Sequence, residues 1–530
     1  MLRSNHGCWS CRIRRKKCDE TKPVCTTCTS RNITCHGYGS KPGWLDGGEQ
    51  EKRIARDLKN QIADNLRKNR KRRSPRNIQS YAGDSARHGN VAGVIHGSFA
   101  LNTNLTKPPF SALAATSSMV SERLTSYREA ELIMHYMDAV FPLQFRFHAP
   151  DAKGRGWLLW LIVQSGPLYH AALSLSALHQ SIRMSVEFRN SYTELANYHA
   201  QALTDLRQFL QRIQENNDTD ERSRKIEVLS CGVSLISFEL FQGGTSDWQL
   251  HLNALISILL GGHASSVIEL LRETRQSSNS LGESLAWQGT ALSFLITVIL
   301  WFDLLSCAST NCAPRMPYRS LLDANIVDMS TTMGVRNNVM RAIGDIASLS
   351  ADNILVHSRI EPSILIERRA IEQSLKRELE ILEDEVPLSP STSKLAPLEH
   401  MEKVRDVTRV FATAALVQLG AIFPGNGSGG HTIHDAIEQN MAAIKSIRNS
   451  QDVRGLIWPI CISGSMAQDE QQQFYEATIR SALNDTPRDF GNCTTLLDIL
   501  RWCWEKRNEY SSYEVDWRHA MADIGTCLLV

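Results

Sequence analysis

The sequence predicts a mostly α protein: a small cysteine-rich head, a flexible linker and a large all-α body. Three observations carry this. Six of the 13 cysteines fall within residues 8–35. From about Glu122, apolar residues recur at i, i+3, i+4 and i+7, the spacing of helices with one buried face. Alternating strand patterns with hairpin turns are nearly absent. The chain has 530 residues, 42% hydrophobic and 22% charged, which excludes a wholly disordered or fibrous chain.

Charge divides the chain in the same way. Residues 1–76 hold 20 Lys and Arg against 7 Asp and Glu, whereas the remaining 454 hold 38 against 49. A basic head on an acidic body suggests a polyanion-binding module joined to something with a different task. The N-terminus has no apolar signal core, which argues against secretion. The longest apolar run, Ala291–Phe302, is interrupted by Asp303 and reads as too short for a membrane span. The seven later cysteines are scattered through hydrophobic segments and read as reduced core residues.

Residues 1–45 form the head. Cys8, Cys11, Cys18, Cys25, Cys28 and Cys35 are spaced C-x2-C-x6-C-x6-C-x2-C-x6-C, so the unit C-x2-C-x6-C occurs twice. Two tetrahedral metal ions need eight thiolate positions, and six sulfurs supply eight only if two of them bridge. Two Zn2+ ions and six thiolates leave a core charge that the basic run Arg12, Arg14, Arg15, Lys16 and Lys17 offsets. So short a segment cannot build a sufficient apolar core, and metal binding should supply most of its folding energy. A disulfide knot fits poorly with the missing signal and the basic run. A single four-ligand zinc site leaves two cysteines spare and the repeat unexplained.

The spacing, the basic run after the second cysteine and Pro23 two residues before the fourth resemble the fungal Zn2Cys6 binuclear zinc cluster transcription factors. The resemblance implies that Cys8 and Cys25 bridge both metals. One ion would take Cys8, Cys11, Cys18 and Cys25, and the other Cys25, Cys28, Cys35 and Cys8. It also implies that the short helix after Cys11 enters the major groove at a CGG-like triplet. Arg14 and Arg15 sit where the family reads bases, and Arg12, Lys17 and Lys22 where it grips phosphate. Elementary chemistry agrees: Arg forks read guanine, and clustered cations gain from counterion release. The second half-repeat, Thr26–Thr34, carries only Arg31, so the first half should face double-stranded DNA.

Residues 46–76 read as a basic helix. Ile54, Leu58, Ile62 and Leu66 recur every four residues, a stripe that drifts around the helix. A homodimer through this stripe and a single helix packing on the body both remain open. The tract Arg67, Lys68, Arg70, Lys71, Arg72 and Arg73 reads as a nuclear localisation or phosphate-contact signal. Residues 77–121, rich in Gly, Ser, Ala, Asn and Thr, read as a flexible linker.

Residues 122–530 read as one all-helical domain with loops near 275–285, 312–320, 386–397 and 424–430. Apolar stripes run through Leu132, Ile133, Tyr136, Met137, Val140 and Phe141, through Ile371, Leu375, Leu379 and Leu382, and through Val404, Val407, Phe411 and Ala415. Trp157–Trp160, Trp248–His251, Ala291–Leu305, Met333–Asn338 and Trp458–Ala467 resemble the regulatory domain that follows the cluster in many of these fungal factors. Gly37-Tyr38-Gly39-Ser40-Lys41-Pro42-Gly43-Trp44 resembles the acriflavine sensitivity control protein-like subgroup.

Enzyme motifs are weak. Gly425–Gly430 satisfies G-x-G-x-x-G, but a dinucleotide site needs a preceding strand, and the preceding stripe is helical. His251 reads as a packed core residue, and Cys307 and Cys312 as core or loop thiols. The expected function is a nuclear, sequence-specific transcription factor of RNA polymerase II genes, holding two Zn2+ ions and controlling a metabolic or biosynthetic gene set. Its partners would be DNA and the transcription machinery or co-regulators, with no membrane. The alternative is a helical-body enzyme or ligand sensor with an accessory nucleic-acid-binding head.

Overall fold

The chain divides into two compact units, Met1–Thr116 and Ser117–Val530. The computed structural model describes residues 7–13, 18–22, 24–29, 33–38 and 42 of the first unit. In the second it describes residues 126–149, 155–164, 166–183, 189–215, 221–245, 247–261, 267–273, 283–355, 362–385, 395–423, 433–484, 491–510 and 515–530. Both units are helical, and no strand occurs among the described residues.

The body begins with a capping box: Ser126 accepts from the Glu129 N–H, and the Glu129 side chain accepts from the Ser126 N–H. The helix Tyr127–His135 continues through a π-helical turn, Tyr136–Val140, into Phe141–Gln144. All six apolar residues of the expected stripe are buried, so the wide turn keeps Val140 and Phe141 on the core side.

The helix Glu283–Thr310 runs through the core. The reading of its apolar run as too short stopped at Asp303, but Asp303 lies inside the helix, buried. Its carboxylate accepts the N–H groups of Arg315 and Met316, both at 2.8 Å. The segment Trp287–Thr310 is thus long and apolar enough to cross a membrane, yet 94% of its most apolar window is buried inside the body. It is the core helix of this unit. Trp301 packs on Phe411, and Phe411 on Trp458, with ring centroids 5.2 and 5.7 Å apart.

Buried tryptophans tie distant segments together. Trp248 Nε1 donates to the Thr526 carbonyl, Trp504 Nε1 to Gly464 and Trp517 Nε1 to Ala308, at 3.1, 2.8 and 2.9 Å. The C-terminal Cys527, Leu528 and Leu529 are buried. Asn492 holds this tail by donating to the Leu528 carbonyl.

Several expected boundaries move. The helix Glu283–Thr310 begins inside the expected 275–285 loop, and Leu395–Ile422 inside the 386–397 loop. The expected 312–320 loop is seen over residues 311–317, where Asp303 accepts the Arg315 N–H, and the helix Tyr318–Asp323 takes over its last three positions. The expected 424–430 loop, including the G-x-G-x-x-G match, lies outside the described residues; the helix Leu395–Ile422 precedes it. Six of the scattered cysteines are buried, but Cys312 is exposed, just past the end of its helix. His251 is half-buried, and burial lowers its pKa.

Candidate metal centre and nucleic-acid interface

The six expected cysteines converge, and all six are free thiols. The repeated C-x2-C unit folds twice in the same way. Cys8 opens the helix Trp9–Ile13: its carbonyl accepts the Arg12 N–H at 3.0 Å, and its sulfur the Cys11 N–H at 3.4 Å. Cys25 opens the helix Thr26–Thr29: its carbonyl accepts the Thr29 N–H at 3.1 Å, and its sulfur the Cys28 N–H at 3.3 Å. One local fold, used twice, brings the two half-repeats face to face.

The sulfurs form two overlapping sets of four: Cys8, Cys11, Cys18 and Cys25, and Cys8, Cys25, Cys28 and Cys35. Within each set the four lie within 4.8 Å of one another. Cys8 and Cys25 belong to both. A tetrahedron of Zn–S bonds of about 2.3 Å has edges of about 3.8 Å. The sulfur separations Cys8–Cys25, Cys11–Cys25 and Cys8–Cys28 are 3.6, 3.8 and 3.8 Å. The donor set therefore fits two zinc ions.

The electrostatics fit as well. Burial pushes the Cys8 and Cys28 thiols well up and Cys11 up to about 11. Burial of Cys18 is outweighed by hydrogen bonds with Tyr38 and the Cys8 N–H, which bring it down to about 7; Cys35 is also lowered. Cys8, Cys11 and Cys28 stay protonated at neutral pH unless a cation sits among them, and a divalent metal is a cation that converts such thiols to thiolates.

Other residues hold the sulfurs in place. Ser10 is fully buried; its hydroxyl donates to the Thr34 carbonyl and accepts the His36 N–H, both at 2.8 Å. That pins the segment around Cys35 to the first helix. Asp19 accepts from the Thr27 N–H and hydroxyl at 3.0 and 2.9 Å, joining the Cys18–Cys25 loop to the second helix. Tyr38 lies 3.5 Å from the Cys18 sulfur and donates to the Thr21 carbonyl. The cysteine spacing carries no signal for Ser10 or Asp19, because their partners are fixed only once the half-repeats meet.

Of the expected DNA contacts, Arg12 is exposed at the end of its helix, its guanidinium 4.2 Å from the centre of the Trp9 ring. Lys22 is exposed. Arg14, Arg15, Lys16 and Lys17 lie outside the described residues, as do Arg67, Lys68, Arg70, Lys71, Arg72 and Arg73 and the stripe Ile54, Leu58, Ile62 and Leu66.

Two family models match. Residues 6–45 match the fungal Zn(2)-Cys(6) binuclear cluster domain, and residues 131–529 the fungal specific transcription factor domain. The chain is 30% identical to the pestheic acid cluster transcriptional regulator 3 of Pestalotiopsis fici, over 97% of this chain and 96% of that one. It is 30% identical to a trichothecene biosynthesis transcription regulator of Trichoderma arundinaceum, over 78% of this chain and 100% of that one. It is 24% identical to the ustiloxin B cluster transcription factor of Aspergillus flavus, over 99% of each. No solved structure matches the chain.

Proposed function

Since the chain belongs to the fungal transcription factors that join a Zn(2)-Cys(6) binuclear cluster to a fungal specific transcription factor domain, we propose that it reads CGG-like triplets in the nucleus to control a biosynthetic gene set. It is a DNA-binding transcription regulator, not an enzyme, and its cluster domain binds two zinc ions. Relatives named for the pestheic acid, trichothecene and ustiloxin B pathways support the reading of a biosynthetic gene set.

The observation that carries this reading is the pair of sulfur quartets sharing Cys8 and Cys25. In our assignment one zinc takes Cys8, Cys11, Cys18 and Cys25, and the other Cys8, Cys25, Cys28 and Cys35. When bound, the metals would supply positive charge that holds the six sulfurs as thiolates; the chain does the rest. The helix Trp9–Ile13 starts at the first shared sulfur, so its end, and Arg12 upon it, is fixed relative to the centre. The cations that follow, Arg14, Arg15, Lys16 and Lys17, are then delivered together to the major groove. Arg14 and Arg15 read bases, while Arg12, Lys17 and Lys22 hold phosphates. Residues 67–73 serve nuclear entry, and residues 49–66 offer a surface for a second copy.

Selection of bound sites from random duplex DNA with the full-length chain tests this. Enrichment of a CGG-like triplet is expected, and its occurrence once or as a spaced pair tells monomer from dimer. Sites without such a triplet would refute the base-reading assignment.

A further inference from the structure

A cavity lies in the body, among helices far along the chain from the cysteine-rich head. It has a volume of about 850 Å3. The helix Leu395–Ile422 packs on both Pro362–Asp384 and Ile433–Lys445, and all three line the chamber. Leu379, Leu416, Leu419, Phe423 and Ile433 give it an apolar wall. The volume is that of a site for a small organic molecule, and beside the apolar wall the lining carries charged side chains of both signs, Arg368, Lys376 and Arg409 with Glu372, Glu380 and Glu383.

The charges are distributed unevenly. Glu380 and Glu383 are exposed, and Arg368 is buried in the wall. Glu372 is paired with Lys376 at 2.7 Å. Arg409 is different. It is half-buried, and its Nη2 donates to the Leu382 carbonyl at 3.0 Å, which caps the end of the helix Pro362–Asp384. It makes no ion pair among the described residues, and its buried Nε has no hydrogen-bond partner there. A guanidinium offers five donors, and the cap uses one. A cation partly removed from water costs free energy unless an anion meets it.

We propose that this chamber is an effector site for an amphipathic organic anion, its apolar body against Leu416, Leu419 and Phe423 and its carboxylate or sulfonate on Arg409. Seated there it also meets Leu379 and Ile433 of the other two helices, so it stabilises the body by mass action and couples metabolite concentration to this domain.

The test uses the full-length chain and two fluorescent probes, anionic 8-anilinonaphthalene-1-sulfonate and neutral N-phenyl-1-naphthylamine. The wild type is expected to bind one anionic probe per chain and to gain thermal stability from it. Ala436→Trp, which fills the chamber from the Ile433–Lys445 wall, is expected to abolish binding of both probes. Gln439→Trp, at an exposed position on the same wall, gives the same readout should Ala436→Trp lose helical content. Arg409→Met is expected to weaken the anionic probe about tenfold or more while leaving the neutral one nearly unchanged. Wild-type binding of the anionic probe by both filled variants, or equal losses of both probes in Arg409→Met, would overturn the proposal. Specific DNA binding, measured on the same preparations, reports the cluster reading separately.

Discussion

Cys8 and Cys25 place their sulfurs 3.6 Å apart, and each sulfur also accepts the N–H of the cysteine three residues on. Equivalent positions of a repeated turn thus meet at the centre of the head. This is the geometry in which two thiolates serve two metals.

A shared ligand and a terminal one should differ in metal count. Cys8→Ser or Cys25→Ser removes a ligand from both ions, and loss of both zincs is expected. Cys11→Ser or Cys35→Ser touches one quartet, and one retained ion per chain is expected. Zinc analysis of the reduced, full-length variants checks this. Equal loss in all four would refute the sharing.

Arg15→Ala is expected to relax base preference, by about 1–3 kcal/mol for a lost bidentate contact. Arg12→Ala should weaken all sequences alike and lower the salt slope by about one. Binding to matched and mismatched duplexes across a salt series separates the two. The same loss on every sequence for both variants would contradict the division of roles.

Ser10→Ala removes the hydroxyl that joins Thr34 and His36 to the first helix. Support of this kind around metal ligands is worth about 10–100-fold in metal affinity. Faster zinc loss to a chelator is expected with the stoichiometry unchanged at saturation. A wild-type rate would make Ser10 a bystander.

In the body, His179 is buried and its Nδ1 lies 2.8 Å from His135 Nε2. Burial, with His135, Arg183 and Arg454 nearby, lowers the His179 pKa to about 4, and His135 is lowered too. The folded pKa lies below the unfolded value of about 6.5, so the unfolded state binds the extra proton between these values. Stability should be full above about pH 6.5 and fall as the pH drops towards 4, by about 1–3 kcal/mol. Urea unfolding of the body at pH 7 and pH 5 checks this, and His179→Gln should flatten the difference.

The sequence made the head's architecture readable because metal coordination demands particular atoms at particular spacings. The spacing of Cys8 through Cys35 called for sulfurs that converge, and they do. Helical content was readable for a similar reason: the periodicity through Val404, Val407, Phe411 and Ala415 reports a single buried face, and all four are buried. What periodicity does not encode is pairing between distant segments. The acidic stretch Glu378–Glu385 gave no sign that Arg336 would pair with both Glu378 and Glu385, at 3.3 and 2.6 Å. Nor did Gly334 announce its role. It has φ +71, and a Cβ there would lie 2.7 Å from the Phe147 Cβ, so its side-chain space is already taken.

That closeness makes Gly334→Ala destabilising, by about 1–3 kcal/mol from the left-handed backbone alone. A lower urea midpoint of the body with an unchanged zinc content is the expected result. A wild-type midpoint would contradict both the backbone cost and the steric one.

Metal content and DNA binding, followed together in the reduced full-length chain as a chelator strips it, test the central claim most directly. Two zincs per chain are expected at the start, with sequence-selective binding lost as they leave while the helical signal of the body persists. Fewer than two zincs in the intact chain, or selective binding that survives without metal, would contradict the account.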